Sequence, residues 1–315
     1  MTVVAATSPG KQSAPARRRG NWVGPLLTLG PGMLLLLGFF LVPILLVTIY
    51  GVLTRDTYGG VLWSFSLASY ERLIGMPDLD EMRESWDFIY LAIILKSVGL
   101  AGLTALVALL VGYPAAFFIA RQGPRRKYFL LFLVTVPFFA NALVRMYAWI
   151  LILRNDGILN NTLHWLGLIS EPLHLIYTPF AVVLAMLYQY LPFMVLPLFA
   201  SIEKLDGTLL EASLDLGARR YTTFRRVVLP LTMPGVVAGL ILVFVPALGN
   251  FVAPTLIGGG KDLYLSTLLA QSFLLARDWP FGSAVATFLS TIVVLSLLVL
   301  AMSDRRNASA RSETP

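Results

Sequence analysis

The sequence predicts an all-α integral membrane protein of about six transmembrane helices, and three observations carry that expectation. Of its 315 residues, 57% are hydrophobic and only 13% charged, against roughly a quarter charged in an ordinary soluble domain. Apolar stretches recur at the length of about 20 residues that a hydrocarbon core of about 30 Å demands of a helix. Lys and Arg gather in short clusters beside those stretches rather than along one soluble face. Hydrocarbon cannot hydrogen-bond a backbone, so a span must be a helix or part of a closed barrel, and runs this long and apolar favour helices.

Residues 1–21, rich in Ser, Ala, Pro and Arg, predict a flexible tail that ends in Arg17, Arg18 and Arg19. The apolar run 22–53 is far longer than the roughly 7 to 15 residue core of a signal peptide, so it is expected to stay as the first span. Residues 54–87 hold seven acids (Asp56, Glu71, Asp78, Asp80, Glu81, Glu84 and Asp87) against Arg55, Arg72 and Arg83, and predict an outer loop. A second span, 88–120, runs into the basic turn of Arg121, Arg125, Arg126 and Lys127. The third, 128–153, is followed by Asn155-Asp156-Gly157 turn chemistry, and the fourth covers 176–200. Residues 201–233 form the most polar long stretch of the second half, with Lys204, Arg219, Arg220, Arg225 and Arg226. A fifth span, 234–257, fades into Gly258-Gly259-Gly260; the sixth, 281–302, ends at a short tail, 303–315. The transmembrane domain thus spans 22–302, flanked by two tails.

Placing both termini in the cytoplasm puts sixteen Lys and Arg on inner segments and six on outer ones, with Lys96 and Arg145 inside spans. The opposite orientation inverts that bias, against the positive-inside rule. The loop 201–233 is therefore expected on the cytoplasmic face. The formal net charge of +7 is explained by topology, and no nucleic-acid partner is expected.

Several classes are excluded. The chain has no cysteine, hence no disulfide framework, thiolate metal site or Cys nucleophile. Two histidines, His164 and His174, with no HExxH leave a metal hydrolase without ligands. Gly258-Gly259-Gly260-Lys261-Asp262 lacks the spacing, the following Ser or Thr and the preceding strand of a Walker A loop, so this chain is not expected to bind nucleotide or to be an enzyme, and no cofactor is expected. An ion-coupled secondary transporter is the alternative from another class. It wants paired intramembrane carboxylates, whereas every Asp and Glu here falls in an expected loop or tail. Asn160 with Thr162 makes a formal glycosylation sequon, read as chance in a turn.

Within 201–233, two short helices with a glycine break fit the pattern. Leu205, Leu209, Ala212, Ser213 and Leu216 recur at helical spacing as a small packing face, while Glu211 and Asp215 stand four apart on another. Gly217 suits a left-handed cap, and Pro230 and Pro234 are expected to stop the helix before the fifth span. The product is a compact elbow that a partner can grip and push.

Glu211-Ala212-Ser213, then Gly217, then Leu229-Pro230 resembles the EAA loop of ABC importer permeases. The resemblance implies the type I permease fold and a bacterial cytoplasmic-membrane location. It also implies that Glu211, Ala212, Ser213, Asp215, Gly217, Leu229 and Pro230 couple to a separate ATPase subunit. Ser213 stands where the family usually has Ala, a small change. Gly112-Tyr113-Pro114, Arg145-Met146-Tyr147-Ala148-Trp149, Leu191-Pro192-Phe193-Met194-Val195-Leu196-Pro197 and Arg277-Asp278-Trp279-Pro280 are similar to the spermidine/putrescine permease branch. That branch implies cytoplasmic ABC ATPases, a second permease subunit, a periplasmic or lipid-anchored solute-binding protein and a small cationic solute, with membrane lipid around the spans. One departure is Asn250, in a stretch where the branch tends to carry acids.

Five polar residues inside spans are candidates for the translocation pathway: Asn141, Arg145, Gln189, Tyr190 and Asn250. An intramembrane ionisable group such as Arg145 suggests a functional site, but it can equally snorkel or bond a broken-helix carbonyl near Pro137. Gln189, Tyr190 and Asn250 can equally be interhelical hydrogen-bond glue.

Overall fold

The computed structural model describes residues 23–76 and 86–312. The expected tail 1–21, the residues Asp78, Asp80, Glu81, Arg83 and Glu84 of the expected outer loop, and the last three residues lie outside the described residues. The chain divides into two compact units, Met1–Leu46 and Val47–Pro315. The first holds most of α1 (Val23–Tyr50), an unbroken apolar helix in which Leu34, Phe39 and Phe40 are exposed, as suits a lipid-facing surface.

The second unit opens with a hairpin, β1 (Leu53–Arg55) and β2 (Val61–Phe65), antiparallel with Arg55 opposite Val61, then α2 (Ala68–Ile74). There follow α3 (Ile89–Ala120), α4 (Pro124–Thr135), a 3-10 turn (Val136–Phe139), α5 (Ala142–Leu153) and α6 (Ile158–Trp165). Next come α7 (Pro179–Glu203), α8 (Gly207–Asp215), α9 (Arg220–Thr223) and a π-helical turn (Phe224–Val228). The chain ends with α10 (Leu229–Gly249), α11 (Val252–Leu256), α12 (Leu265–Leu274) and α13 (Trp279–Ser312).

Among the described residues, five helices are long and apolar enough to cross a membrane: Gly32–Tyr50, Ile89–Ala120, Pro179–Glu203, Arg220–Gly249 and Trp279–Leu298. A sixth crossing requires the pair Pro124–Phe139 and Ala142–Trp165, which bends by 94°. The expected third span, 128–153, is therefore broken. After the 3-10 turn, Ala140 is extended, and Asn141 starts a new helix by accepting the Leu143 amide at 2.8 Å.

The fifth span also differs from expectation. Its helix begins at Arg220 rather than at Pro234, so Pro230 and Pro234 do not stop it. The π turn supplies the reason: the Leu229 amide bonds five residues back, to the Phe224 carbonyl. Pro230 then withholds its N–H where the ladder has already shifted register, early in α10, where a proline is tolerated. The expected polar loop 201–233 is accordingly mostly helix.

The loops expected outside are built rather than plain. Asp278, 5% exposed, receives Arg72 at 3.2 Å and Arg55 at 3.5 Å and accepts the Phe281 amide, clasping the hairpin and α2 to the start of α13. Asn160 lies in α6, not in a turn; it is buried and bonded to Arg154 and Leu173, so its sequon is chance.

The core of this unit is α3, α7 and α10, centred on the fully buried Met194 and Leu198. Lipid is as apolar as leucine, so helices associate in it by close packing that small residues permit. A Cβ at Gly112 would lie 2.8 Å from Met194 Cγ, one at Gly239 2.6 Å from Met194 Sδ, and one at Gly235 2.6 Å from the Pro197 carbonyl. Gly235→Val should cost about 1–3 kcal/mol through overpacking, measured as a lower melting temperature of the solubilised protein. Gly99→Val, where a Cβ meets open space, should lose little more than a helix-propensity difference.

Candidate functional site

The structure groups the candidate residues at two places, the elbow of α8 and α9 and the broken ends of the spans. At the elbow, Asp206 caps α8: its carboxylate accepts the Thr208 amide at 3.0 Å, which holds its pKa below the ordinary carboxylate range. At the other end Gly217, at φ +79°, donates to the Leu214 carbonyl at 2.9 Å, and Ala218 donates to Ser213 at 3.2 Å. This is a Schellman stop, which needs the left-handed backbone that glycine adopts without a side-chain penalty.

The expected packing face divides differently. Leu205 packs on the core and Ser213 is half-buried, but Leu209, Ala212 and Leu216 are exposed, Leu216 at 89%. The residue turned inward instead is Leu210. The helix rotates this way because Ser213 is tethered: its hydroxyl meets that of Thr223 at 3.0 Å, and Thr223 is buried. Glu211 and Asp215 are exposed and make no ion pair among the described residues.

Behind the elbow stands a second contact. Tyr113 on α3 packs edge-on against Phe224, with centroids 5.5 Å apart, and its hydroxyl meets Thr232 Oγ1 at 2.8 Å. The Thr232 proton goes to the Val228 carbonyl, so Tyr113 is the donor. Leu229 and Pro230 stand one step further on, opening α10; the structure joins them to α8 through α9 and the π turn. Thr223, Tyr113 and Thr232 were not singled out from sequence. Tyr113 carried a signal only as part of Gly112-Tyr113-Pro114.

At the broken ends, Arg145 is buried on the first turn of α5 and donates to the Pro137 carbonyl at 3.3 Å, its guanidinium carbon 5.9 Å from the Phe138 ring. Its Nε is buried with no hydrogen-bond partner among the described residues. Tyr190 donates to the Pro246 carbonyl at 3.1 Å and accepts Asn250 Nδ2 at 2.9 Å. The Asn250 side-chain oxygen accepts the Val252 and Ala253 amides, capping α11, while its carbonyl receives Ser266. Gln189 is half-buried and makes no side-chain hydrogen bond among the described residues. Asn141 is exposed and serves as the α5 cap.

A family model described as binding-protein-dependent transport system inner membrane component matches residues 108–309, a stretch that contains both places. The chain belongs to that family. The permease is 42% identical over 261 residues, 83% of its own length and 90% of the relative's, to spermidine/putrescine transport system permease protein PotB of Escherichia coli (strain K12). It is 39% identical over 264 residues to PotB of Haemophilus influenzae, covering 84% of the permease and 88% of that relative. A crystal structure of a bacterial ABC transporter involved in the import of the acidic polysaccharide alginate shares the fold. Its TM-score is 0.68 at 17% identity, over 90% of the permease and 96% of that chain. The permease is thus a multi-pass component of the bacterial inner membrane.

Asn250 gives the permease's broken end a direct test. Asn250→Ala frees the two α11 amides and the Tyr190 hydroxyl, and should cost about 1–3 kcal/mol for the unmade bonds, read as a lower melting temperature in detergent. Asn250→Asp keeps the cap but loses the donor to Tyr190, and should fall between the two.

Proposed function

We propose that this permease carries polyamines, putrescine or spermidine, inward as one subunit of an ATP-driven importer. Its partners in that reading are cytoplasmic ABC ATPases, a second permease subunit and a periplasmic or lipid-anchored binding protein. ATP hydrolysis belongs to the ATPases. The similarity to the two PotB proteins supports the substrate, and the sixteen-to-six bias of Lys and Arg supports an elbow on the cytoplasmic face with both termini.

One observation carries the coupling role. The helix α8 is capped at both ends and tied inward through Ser213, yet keeps Leu209, Ala212 and Leu216 exposed beside Glu211 and Asp215. A short rigid helix with an uncovered apolar and acidic surface suits docking into a groove on another protein. A push on it passes through Thr223 to the π turn, and from there along α10 and, by Tyr113, to α3. Glu211 through Gly217 form the contact and Leu229-Pro230 the lever's root.

For the pathway, the five candidate residues divide by how their bonds are used. Arg145, Tyr190, Asn250 and Asn141 hold broken backbone in place and so frame the route. Gln189 keeps its amide uncommitted and is the one suited to meet solute.

Gly217→Val puts a β-branched residue at φ +79°, a strained conformation for it. Labelled putrescine and spermidine uptake, in cells with the cognate binding protein, should fall by roughly tenfold or more as the α8 stop deforms, and ATPase copurification should weaken. Unaltered uptake with normal ATPase association contradicts the coupling role. Transport of a different small solute by the unaltered protein, with no polyamine uptake, replaces the substrate alone.

A further inference from the structure

Between the last turn of α3 and the inner side of the elbow lies a cavity of about 370 Å³. Phe117 and Arg121 form one wall, Leu210 and Leu214 of α8 another, and Arg220, Thr223, Phe224 and Val228 of α9 and the π turn the third. The lining is apolar apart from two guanidinium groups and the Thr223 hydroxyl, which Ser213 occupies, and it contains no acid. The Arg121 guanidinium carbon lies 4.2 Å from the Phe117 ring centroid, a cation–π contact that holds the charge at this wall. Neither Arg121 nor Arg220 makes an ion pair or side-chain hydrogen bond among the described residues.

We propose that this cavity holds the headgroup of an anionic phospholipid, which braces the elbow against α3. The chemistry selects both parts of such a molecule. Two guanidinium forks match a phosphodiester's oxygens, while Phe117, Leu210, Leu214, Phe224 and Val228 suit the glycerol and first methylenes and repel a small hydrated anion. The place selects the source: Arg121 follows the last residue of a 32-residue apolar helix, the depth at which headgroups are concentrated. Arg125, Arg126, Arg219, Arg225 and Arg226 are near in sequence, and with the elbow on the cytoplasmic side they draw anionic lipid toward it. A bound headgroup joins α3 to α9 on the side opposite the exposed docking surface, so lipid composition tunes how stiffly the elbow passes a push. The proposal rests on the cytoplasmic placement of the elbow.

The test uses the complete transporter, permeases, ATPases and binding protein, in nanodiscs of pure phosphatidylcholine or with added phosphatidylglycerol. Binding-protein-stimulated ATP hydrolysis should rise roughly threefold or more with phosphatidylglycerol, and native mass spectrometry of the permease should retain that lipid. In the Arg121→Gln, Arg220→Gln double variant the ratio between the two lipids should fall to about one and the retained lipid should be lost. The Arg121→Lys, Arg220→Lys variant should keep part of both. An unchanged ratio and unchanged lipid retention in the Gln variant overturn the proposal. So does loss of ATPase association by the Gln variant in pure phosphatidylcholine with lipid retention unchanged, which would assign the cavity to an acidic side chain of the ATPase. Lipid retention is read on the permease itself, so failure of the coupling role, seen as normal uptake by Gly217→Val, is a separate result.

Discussion

Hydrocarbon gives an unpaired backbone amide or carbonyl nothing to bond with, and every break in this chain's spans is arranged around that constraint. Among the described residues of the second unit, three breaks within or at the ends of spans show it. At the 94° bend, Asn141 covers a new amide and Arg145 covers the Pro137 carbonyl. At the end of α10, Tyr190 takes the Pro246 carbonyl, Asn250 takes two amides, and Ser266 takes the Asn250 carbonyl. Before Pro230, a π turn shifts the ladder and Thr232 takes the Val228 carbonyl. The polar side chains that look like ligands in an apolar sequence mostly serve the backbone.

The elbow follows from the same economy. Because α10 continues back through the π turn to Arg220, the fifth span and α9 are one continuous element, and α8 is hung on it by a Schellman stop and one hydroxyl pair. Alanine, usual for the family at position 213, has no hydroxyl to make that pair. Tyr113 then fixes the root of the fifth span to α3. Close approaches of Gly112 and Gly239 to Met194, and of Gly235 to Pro197 and Ser201, hold α3, α7 and α10 together, so displacement at α8 meets a packed core.

Most of the architecture was legible in the sequence, because a span of about 20 apolar residues is a constraint on composition and clustered Lys and Arg mark its ends. The spans and the left-handed Gly217 follow from such local rules. The 94° bend was legible only as the alternative that Arg145 bonds a broken-helix carbonyl near Pro137, since the apolar run around Pro137 and Asn141 otherwise reads as one helix. The early start of the fifth span was not legible, since proline's local rule yields there to a register shift that no residue type announces. The rotation of α8 was also hidden: helical spacing groups Leu209, Ala212 and Leu216, but whether that group faces inward depends on Thr223, ten residues from Ser213. The built hairpin, α2 and Asp278 clasp lie in segments whose polarity reads only as loop.

The central claim is that the elbow sits on the cytoplasmic face with its exposed side in an ATPase groove. The chain has no cysteine, so Leu216→Cys introduces a single thiol at the most exposed leucine of that side. Its labelling by a membrane-impermeant maleimide, in inverted and right-side-out vesicles with and without the ATPase, tests the claim most directly. The account predicts labelling only in inverted vesicles and protection when the ATPase is bound. Labelling from outside, or equal labelling with the ATPase present, would contradict it.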